Sequence, residues 1–169
     1  DMHRLPTIGA RVKESSETDL DRIDLRMLRA LQRDGRISNA DLAAEVGVSA
    51  ATCHRRTQQL IDAGYISGFR AVVAPQKVEL GTLVLVGVVL DRSTPESFAA
   101  FESAAEKLKF VLDCHLVAGD FDYFLKIRVR DMADFNRLHG TQLIGLPGVR
   151  QTRTFFVMKE VVDGRVLEF

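Results

Sequence analysis

Apolar residues recur at helical spacing over 19–34, where Leu20, Ile23, Met27, Ala30 and Leu31 share one face and Asp34-Gly35 ends the run. Leu25 and Leu28 stand off that stripe, left to solvent or to a partner. Residues 37–65 then predict a short helix, a tight turn and a second helix. Ser38 is placed to cap the first, with Asp41 three residues on as a shortened capping box, and Ile37 and Leu42 fit a hydrophobic staple. Gly47 supplies a left-handed terminator and Ser49 caps the next helix. At about 100° per residue, Cys53, Thr57, Leu60 and Ile61 of that helix point one way. Ala51, Thr52, Arg55 and Gln59 point the other, with His54 and Arg56 on the flanks. Beyond Ala63-Gly64, alternation through Tyr65, Ile66, Phe69, Ala71 and Val73, with Gly68 permitting a turn, predicts a wing that continues as a hinge into Pro75.

The second half reads strand, helix, strand, strand, helix, strand. An apolar run at 83–90 is followed by Thr94-Pro95, a cap and first-turn proline that open a helix through Phe98, Phe101, Ala105 and Leu108. Strands follow at 111–117 and 123–129, joined by the turn Gly119-Asp120-Phe121-Asp122. Asp131 caps a helix carrying Met132, Phe135, Leu138 and Leu143; Leu146-Pro147-Gly148 breaks it, and 149–162 closes the sheet. Two such halves make a ferredoxin-like βαββαβ sandwich. The expected class is α+β, a winged helix-turn-helix followed by that sandwich. The parts are a flexible arm at 1–18, the winged domain at 19–68, a strand hinge at 69–80, the sandwich at 81–162 and a tail at 163–169. Residues 83–90 are apolar on both sheet faces, and Phe155-Phe156-Val157-Met158 repeats the feature. A face left open by the helices would be a large apolar patch on a monomer, so a second copy is expected to cover it.

Composition narrows the chemistry. Among 169 residues, 23 basic side chains balance 23 acidic ones, so nucleic-acid binding must come from a local patch. No apolar run reaches the ~18 residues a membrane helix needs, and the N-terminus lacks a signal-peptide pattern; a cytoplasmic protein without membrane partners is expected. Cys53 and Cys114 lack metal-ligand spacing and read as two buried thiols, a structural disulfide being the alternative.

The outward face of the second helix is thin and polar, carries two arginines, and meets no acidic residue before Asp62. Small residues let its backbone approach a groove, and arginine and glutamine pair with base edges and phosphates. With the capping serines, the candidate contacts to double-stranded DNA are Ser38, Ser49, Ala51, Thr52, His54, Arg55, Arg56 and Gln59. The competing reading is a helical hairpin with a solvated face. The basic arm (Arg4, Arg11, Lys13) reads as a floppy tail, with brushing of phosphates the alternative. Catalysis is poorly supported: Cys114 and His115 are neighbours on a strand and face opposite sides. His54 points outward, toward DNA or solvent rather than a metal, His139 sits inert on a polar helix face, and Asp120 with Asp122 falls short of a cation cage. No catalytic residue, metal site or cofactor is expected.

Several stretches together carry a resemblance: Leu20-Asp-Arg-Ile-Asp24, Leu31-Gln-Arg-Asp-Gly-Arg-Ile-Ser-Asn39, Val46-Gly-Val-Ser49, Cys53, Arg55-Arg56, Cys114-His-Leu-Val-Ala-Gly-Asp-Phe-Asp-Tyr123, Leu146-Pro-Gly-Val149, Thr152-Arg-Thr154 and Val157-Met158. In this order and spacing the chain resembles the Lrp/AsnC family of bacterial regulators. The resemblance implies a transcription factor with a winged DNA-binding domain, a β-strand hinge and an amino-acid-sensing domain, forming homodimers that assemble further, often to octamers. It implies a response site between dimers built from Leu116, Gly119, Asp120, Asp122, Tyr123, Met132, Ile144, Phe155, Phe156 and Val157. Phe155-Phe156 stands where tyrosine and valine are typical and Ile144 replaces a leucine, adding aromatic bulk that weighs against leucine itself; Ala50-Ala51-Thr52 replaces Pro-Thr-Pro, so the operator sequence does not carry over.

A zwitterionic effector such as leucine needs an acceptor for its ammonium, which Asp122 offers, and donors for its carboxylate, which backbone N–H groups of a glycine-containing turn offer. Leu116, Met132, Ile144 and Val157 would sort side chains, at only ~1–3 kcal/mol per methylene, so related aliphatic amino acids should cross-bind. The competing reading of 119–123 is a hairpin turn with solvated aspartates. The rival function is an architectural DNA-binding protein whose second half only builds the oligomer.

Overall fold

The structure is a computed structural model and describes residues 20–169. The arm expected at 1–18, with Arg4, Arg11 and Lys13, lies outside the described residues. The described chain forms two compact units, 20–71 joined by 164–169, and 72–163.

The first unit contains α1 (Arg22–Arg33), α2 (Asn39–Val46) and α3 (Ala50–Asp62). α1 begins on a full capping box: the Asp21 carboxylate accepts from Asp24 N at 2.8 Å, and Asp24 accepts from Asp21 N at 3.3 Å. At α2 the expected box is half formed. Ser38 Oγ accepts from Asp41 N at 3.0 Å, but Asp41 Oδ2 accepts from the Ser38 hydroxyl at 2.6 Å rather than from the Ser38 backbone N–H. Gly47 closes α2 at φ 75°. Met27, Ala30, Leu42, Ala43, Val46, Cys53 and Leu60 form the core, with Ile23, Leu31 and Ile37 packed on it. Ile61, expected to point inward, is 37% exposed. At ~100° per residue it lies about 80° around α3 from Cys53, whereas Leu60 lies within about 20°.

Residues 65–74 form no strand. The N–H groups of Tyr65 and Ile66 both donate to Leu60 O, finishing α3, and the segment beyond has no ladder partner. Among the described residues, the segment expected as wing and hinge therefore carries no strand ladder within a single chain. Alternation specifies an extended backbone, but a strand also needs a neighbour to pair with.

In the second unit a 3-10 turn, Pro75–Val78, precedes β1 (Thr82–Leu90), α4 (Pro95–Ala105), β2 (Val111–Leu116), β3 (Tyr123–Val129), α5 (Met132–Leu138), a π-helical turn at His139–Leu143 and β4 (Val149–Phe156). The strands lie in the order β2-β3-β1-β4 with every pair antiparallel, the expected ferredoxin-like sheet. Thr94 and Asp131 cap α4 and α5 as their sequences predict. β4 ends at Phe156, short of the expected 162. Beyond it Glu160 pairs with Arg128 at 2.6 Å and Asp163 with Lys126 at 3.7 Å.

Val84, Val86, Val88 and Leu90 of β1 join Tyr123, Leu125, Ile127 and Val129 of β3 in a core completed by Phe101, Phe135, Leu138 and Leu143. Residues of the opposite parity face the other side of the sheet. There Phe121, from the turn before β3, lies over Gly87 so closely that a Cβ would sit 2.7 Å from its ring. Phe121, Phe124 and Phe155 cluster with centroids 5.1 and 6.4 Å apart, and the Arg153 guanidinium stands 5.8 Å from the Phe121 centroid.

Candidate nucleic-acid interface and effector site

α3 owes its presentation to two local devices. Ser49 Oγ accepts from Thr52 N at 3.2 Å and donates to Thr52 Oγ1 at 2.9 Å, fixing the first turn. Asn39 Nδ2 donates to Ala50 O at 2.9 Å, tying the start of α2 to the start of α3 across the turn. Ala51, His54, Arg55 and Gln59 are exposed on one side. Arg55 donates to Gln59 Oε1 at 3.1 Å, so these two base-competent side chains are held together one helical turn apart. Ser38 is exposed at the start of α2, and Thr52 is half-buried.

Arg56 departs from the expectation. Its NH1 donates to Asp21 Oδ2 at 2.7 Å and Asp24 Oδ1 at 2.8 Å, and its side chain is 21% exposed. It joins α3 to the capping box of α1 rather than flanking a free reading face. Hydrogen bonds to Asp24 and then Asp21 raise its pKa further above the ordinary arginine value. The backbone N–H of Asp24 is the main cause holding the Asp21 carboxyl below its ordinary value. The two aspartates are the residues missed by sequence reading; their Asp-x-x-Asp spacing was the available signal, weaker than Ser-x-x-Glu.

The residues assigned to an effector divide in space. Tyr123 is sealed in the core, 1% exposed, and its hydroxyl donates to Glu102 Oε1 at 2.6 Å. Burial, with the Glu102 carboxylate adding to it, pushes the phenol above its ordinary value. Its side chain is a core prop for the turn and not a free contact. Asp122 Oδ2 accepts from Leu90 N at 2.7 Å, so part of that carboxylate fastens the end of β1. Gly119 and Asp120 are exposed in the turn. Leu116, Met132, Ile144, Phe155 and Phe156 are exposed, and Val157 is half-buried.

Leu116 pairs with Tyr123, Tyr123 with Val88, and Val88 with Thr152. Three strand spacings of ~4.8 Å put Leu116 roughly 14 Å from β4. Phe155 and Phe156 occupy opposite faces of that strand: Phe156 meets Phe135 of α5 at 5.4 Å between centroids, while Phe155 joins the cluster around Phe121. The set therefore does not enclose one cavity within a single chain.

Residues 83–167 match the model of the Lrp/AsnC ligand binding domain, and residues 20–67 match a winged helix-turn-helix DNA-binding model. The chain belongs to the Lrp/AsnC family. It is 46% identical over 149 residues to leucine-responsive regulatory proteins of Klebsiella pneumoniae and Escherichia coli K12, spanning 88% of this chain and 91% of theirs. Its structure resembles a transcriptional regulator of Neisseria meningitidis solved with L-methionine, with a TM-score of 0.81 at 32% identity over 85% of this chain and 93% of that one. It also resembles an AsnC family regulator of Agrobacterium tumefaciens, with a TM-score of 0.83 at 28% identity over 88% and 97%. This Lrp/AsnC chain is a DNA-binding transcriptional regulator with a ligand-binding domain, and not an enzyme. Among the described residues no helix is long and apolar enough to cross a membrane.

Proposed function

We propose that this Lrp/AsnC regulator reads promoter DNA through α3 and responds to a small apolar amino acid, leucine or a near relative, bound where dimers meet. The observation that carries the reading is the separation of the response residues. Leu116 and Phe156 lie toward opposite edges of one sheet, and Phe155 and Phe156 on opposite faces, so enclosure of a ligand requires more than one copy. Relatives named as leucine-responsive, and a structural neighbour solved with L-methionine, support an amino acid as that ligand.

Asp120 and the oxygen of Asp122 not bonded to Leu90 would receive the ammonium, and the N–H groups of the turn the carboxylate. Met132, Ile144 and Leu116 would sort the side chain. Homodimers would bring two copies of α3 to half-sites about one helical turn apart, and further assembly toward an octamer would create the dimer–dimer site. An amino acid shifts that assembly only through its differential affinity for the two states. Ala51, His54, Arg55 and Gln59 are the proposed groove contacts, with Ser38, Ser49 and Thr52 at the helix starts beside phosphates; Arg56 orients α3 instead.

The test is DNA binding by fluorescence anisotropy, with and without each of the common amino acids, alongside calorimetry and light scattering on the same samples. An apolar amino acid should bind and change both oligomer mass and DNA affinity. If none binds up to millimolar concentration and DNA affinity ignores all of them, the second half serves assembly alone.

A further inference from the structure

Leu25 and Leu28, which stand off the core stripe of α1, line an apolar cavity of about 650 Å³ together with Leu20, Leu31, Tyr65 and Phe69. Leu167 and Phe169 line the same cavity. Leu167 is held at both of its backbone polar groups. Gln32 Nε2 donates to its carbonyl at 3.1 Å, and Gln32 Oε1 accepts from its N–H at 2.9 Å. One side-chain amide thus does for Leu167 what an adjacent strand does for a ladder residue. One turn earlier, Arg29 Nε donates to Phe169 O at 2.7 Å, and the same guanidinium stands 5.6 Å from the centroid of the Phe169 ring.

We propose that residues 165–169 are a built-in peptide ligand of the DNA-reading unit, docked on the second face of α1 and recognised through backbone by Gln32 and Arg29. The tail expected at 163–169 thereby belongs, from 164 on, to the first unit, which the chain leaves at 71–72 and re-enters at 163–164. Backbone recognition also explains why the Leu167 side chain remains 73% exposed: its amide, rather than its side chain, is what α1 holds. The segment just before it is anchored elsewhere, by the Glu160–Arg128 and Asp163–Lys126 pairs of the second unit. Within the first unit the docked residues close the edge of the apolar cavity along α1.

The test uses a chain ending at Asp163 and a fluorescent peptide of residues 163–169 with an amidated end, so that a terminal carboxylate cannot supply the contact. The peptide should bind the shortened chain saturably and the full chain at least about tenfold more weakly, because the resident tail competes. Gln32→Ala in the shortened chain should weaken it about tenfold, two hydrogen bonds being removed, while Leu167→Ser in the peptide should change little. Equal binding to shortened and full chains, or indifference to Gln32→Ala, overturns the proposal. Should the shortened chain not fold, hydrogen exchange on the full chain decides: the Leu167 amide should exchange about tenfold faster in Gln32→Ala, and an unchanged rate refutes the docking.

Discussion

Replacing Arg56 by alanine separates two roles that an arginine on a recognition helix can have. Its guanidinium bridges Asp21 and Asp24, and the Arg56 and Asp24 side chains are 21% and 15% exposed, so their bond is largely shielded from solvent. A hydrogen bond to a charged group in such a setting is worth ~1.5–3 kcal/mol. For a domain of this size each kcal/mol moves the melting temperature by about 4–8 °C, so Arg56→Ala should lower the melting of the first unit by roughly 10 °C. DNA affinity should fall because α3 loses its fixed angle to α1. The dependence of that affinity on salt should not fall, since a residue that touches no phosphate releases no counterion. The assay is thermal unfolding together with anisotropy titrations on duplex DNA across a range of KCl concentrations. A variant that melts normally while its log–log salt slope drops by about 0.9 would show Arg56 on a phosphate, and the clamp would be wrong.

Arg55→Ala is the complementary change: melting should stay within about 0.5 kcal/mol of the parent while DNA affinity and sequence discrimination fall, and unchanged affinity in anisotropy removes Arg55 from the contact set. Gly87→Ala forces a methyl against the Phe121 ring and should cost ~1–3 kcal/mol in urea unfolding, with Phe121→Leu restoring part of the loss; a neutral Gly87→Ala contradicts the packing. Cys114, expected as a buried thiol, is exposed, yet partial desolvation, with Glu102 and Glu106 nearby, pushes its pKa up to about 11; alkylation by iodoacetamide should be slow at pH 8 and accelerate toward pH 11, and a rate that saturates by pH 9 refutes this. Because the Asp21 carboxyl is depressed below its ordinary 3.8, its stabilisation is full above that pH and is lost as pH falls through the folded value. Asp21→Asn should therefore flatten the acid limb of the stability curve below about 3.8 and leave its shape between pH 5 and 7 unaltered, which acid titration followed by circular dichroism measures.

What the sequence disclosed follows the range of the interaction. Ser38, Gly47, Ser49, Thr94 and Asp131 act on backbone groups within three or four residues, and each terminates or starts a helix where its chemistry indicates. The sheet was legible because β1 is an unbroken apolar run bounded by turn residues and β3 alternates, burying Tyr123, Leu125, Ile127 and Val129. The pairing of 65–74 and the far end of β4 were not, since pairing depends on a neighbour that no local pattern names. Arg56 was misdirected for a related reason: helical periodicity gives the bearing of a side chain, but Asp21 and Asp24 lie more than 30 positions earlier in the chain. Among the assigned effector residues, the Gly119–Asp122 turn was placed correctly as a turn, while the burial of Tyr123 depends on Glu102 and Phe101 of a separate helix.

Phe155 and Phe156 share a backbone but answer to different surroundings, one ring among aromatics on the bare side of the sheet and the other against α5. Substituting either leaves its neighbour where it is. Inserting or deleting a single residue upstream in β4 exchanges the two rings at a stroke, along with every other side chain of the strand. Length, more than identity, is what descendants of this chain are least free to alter there.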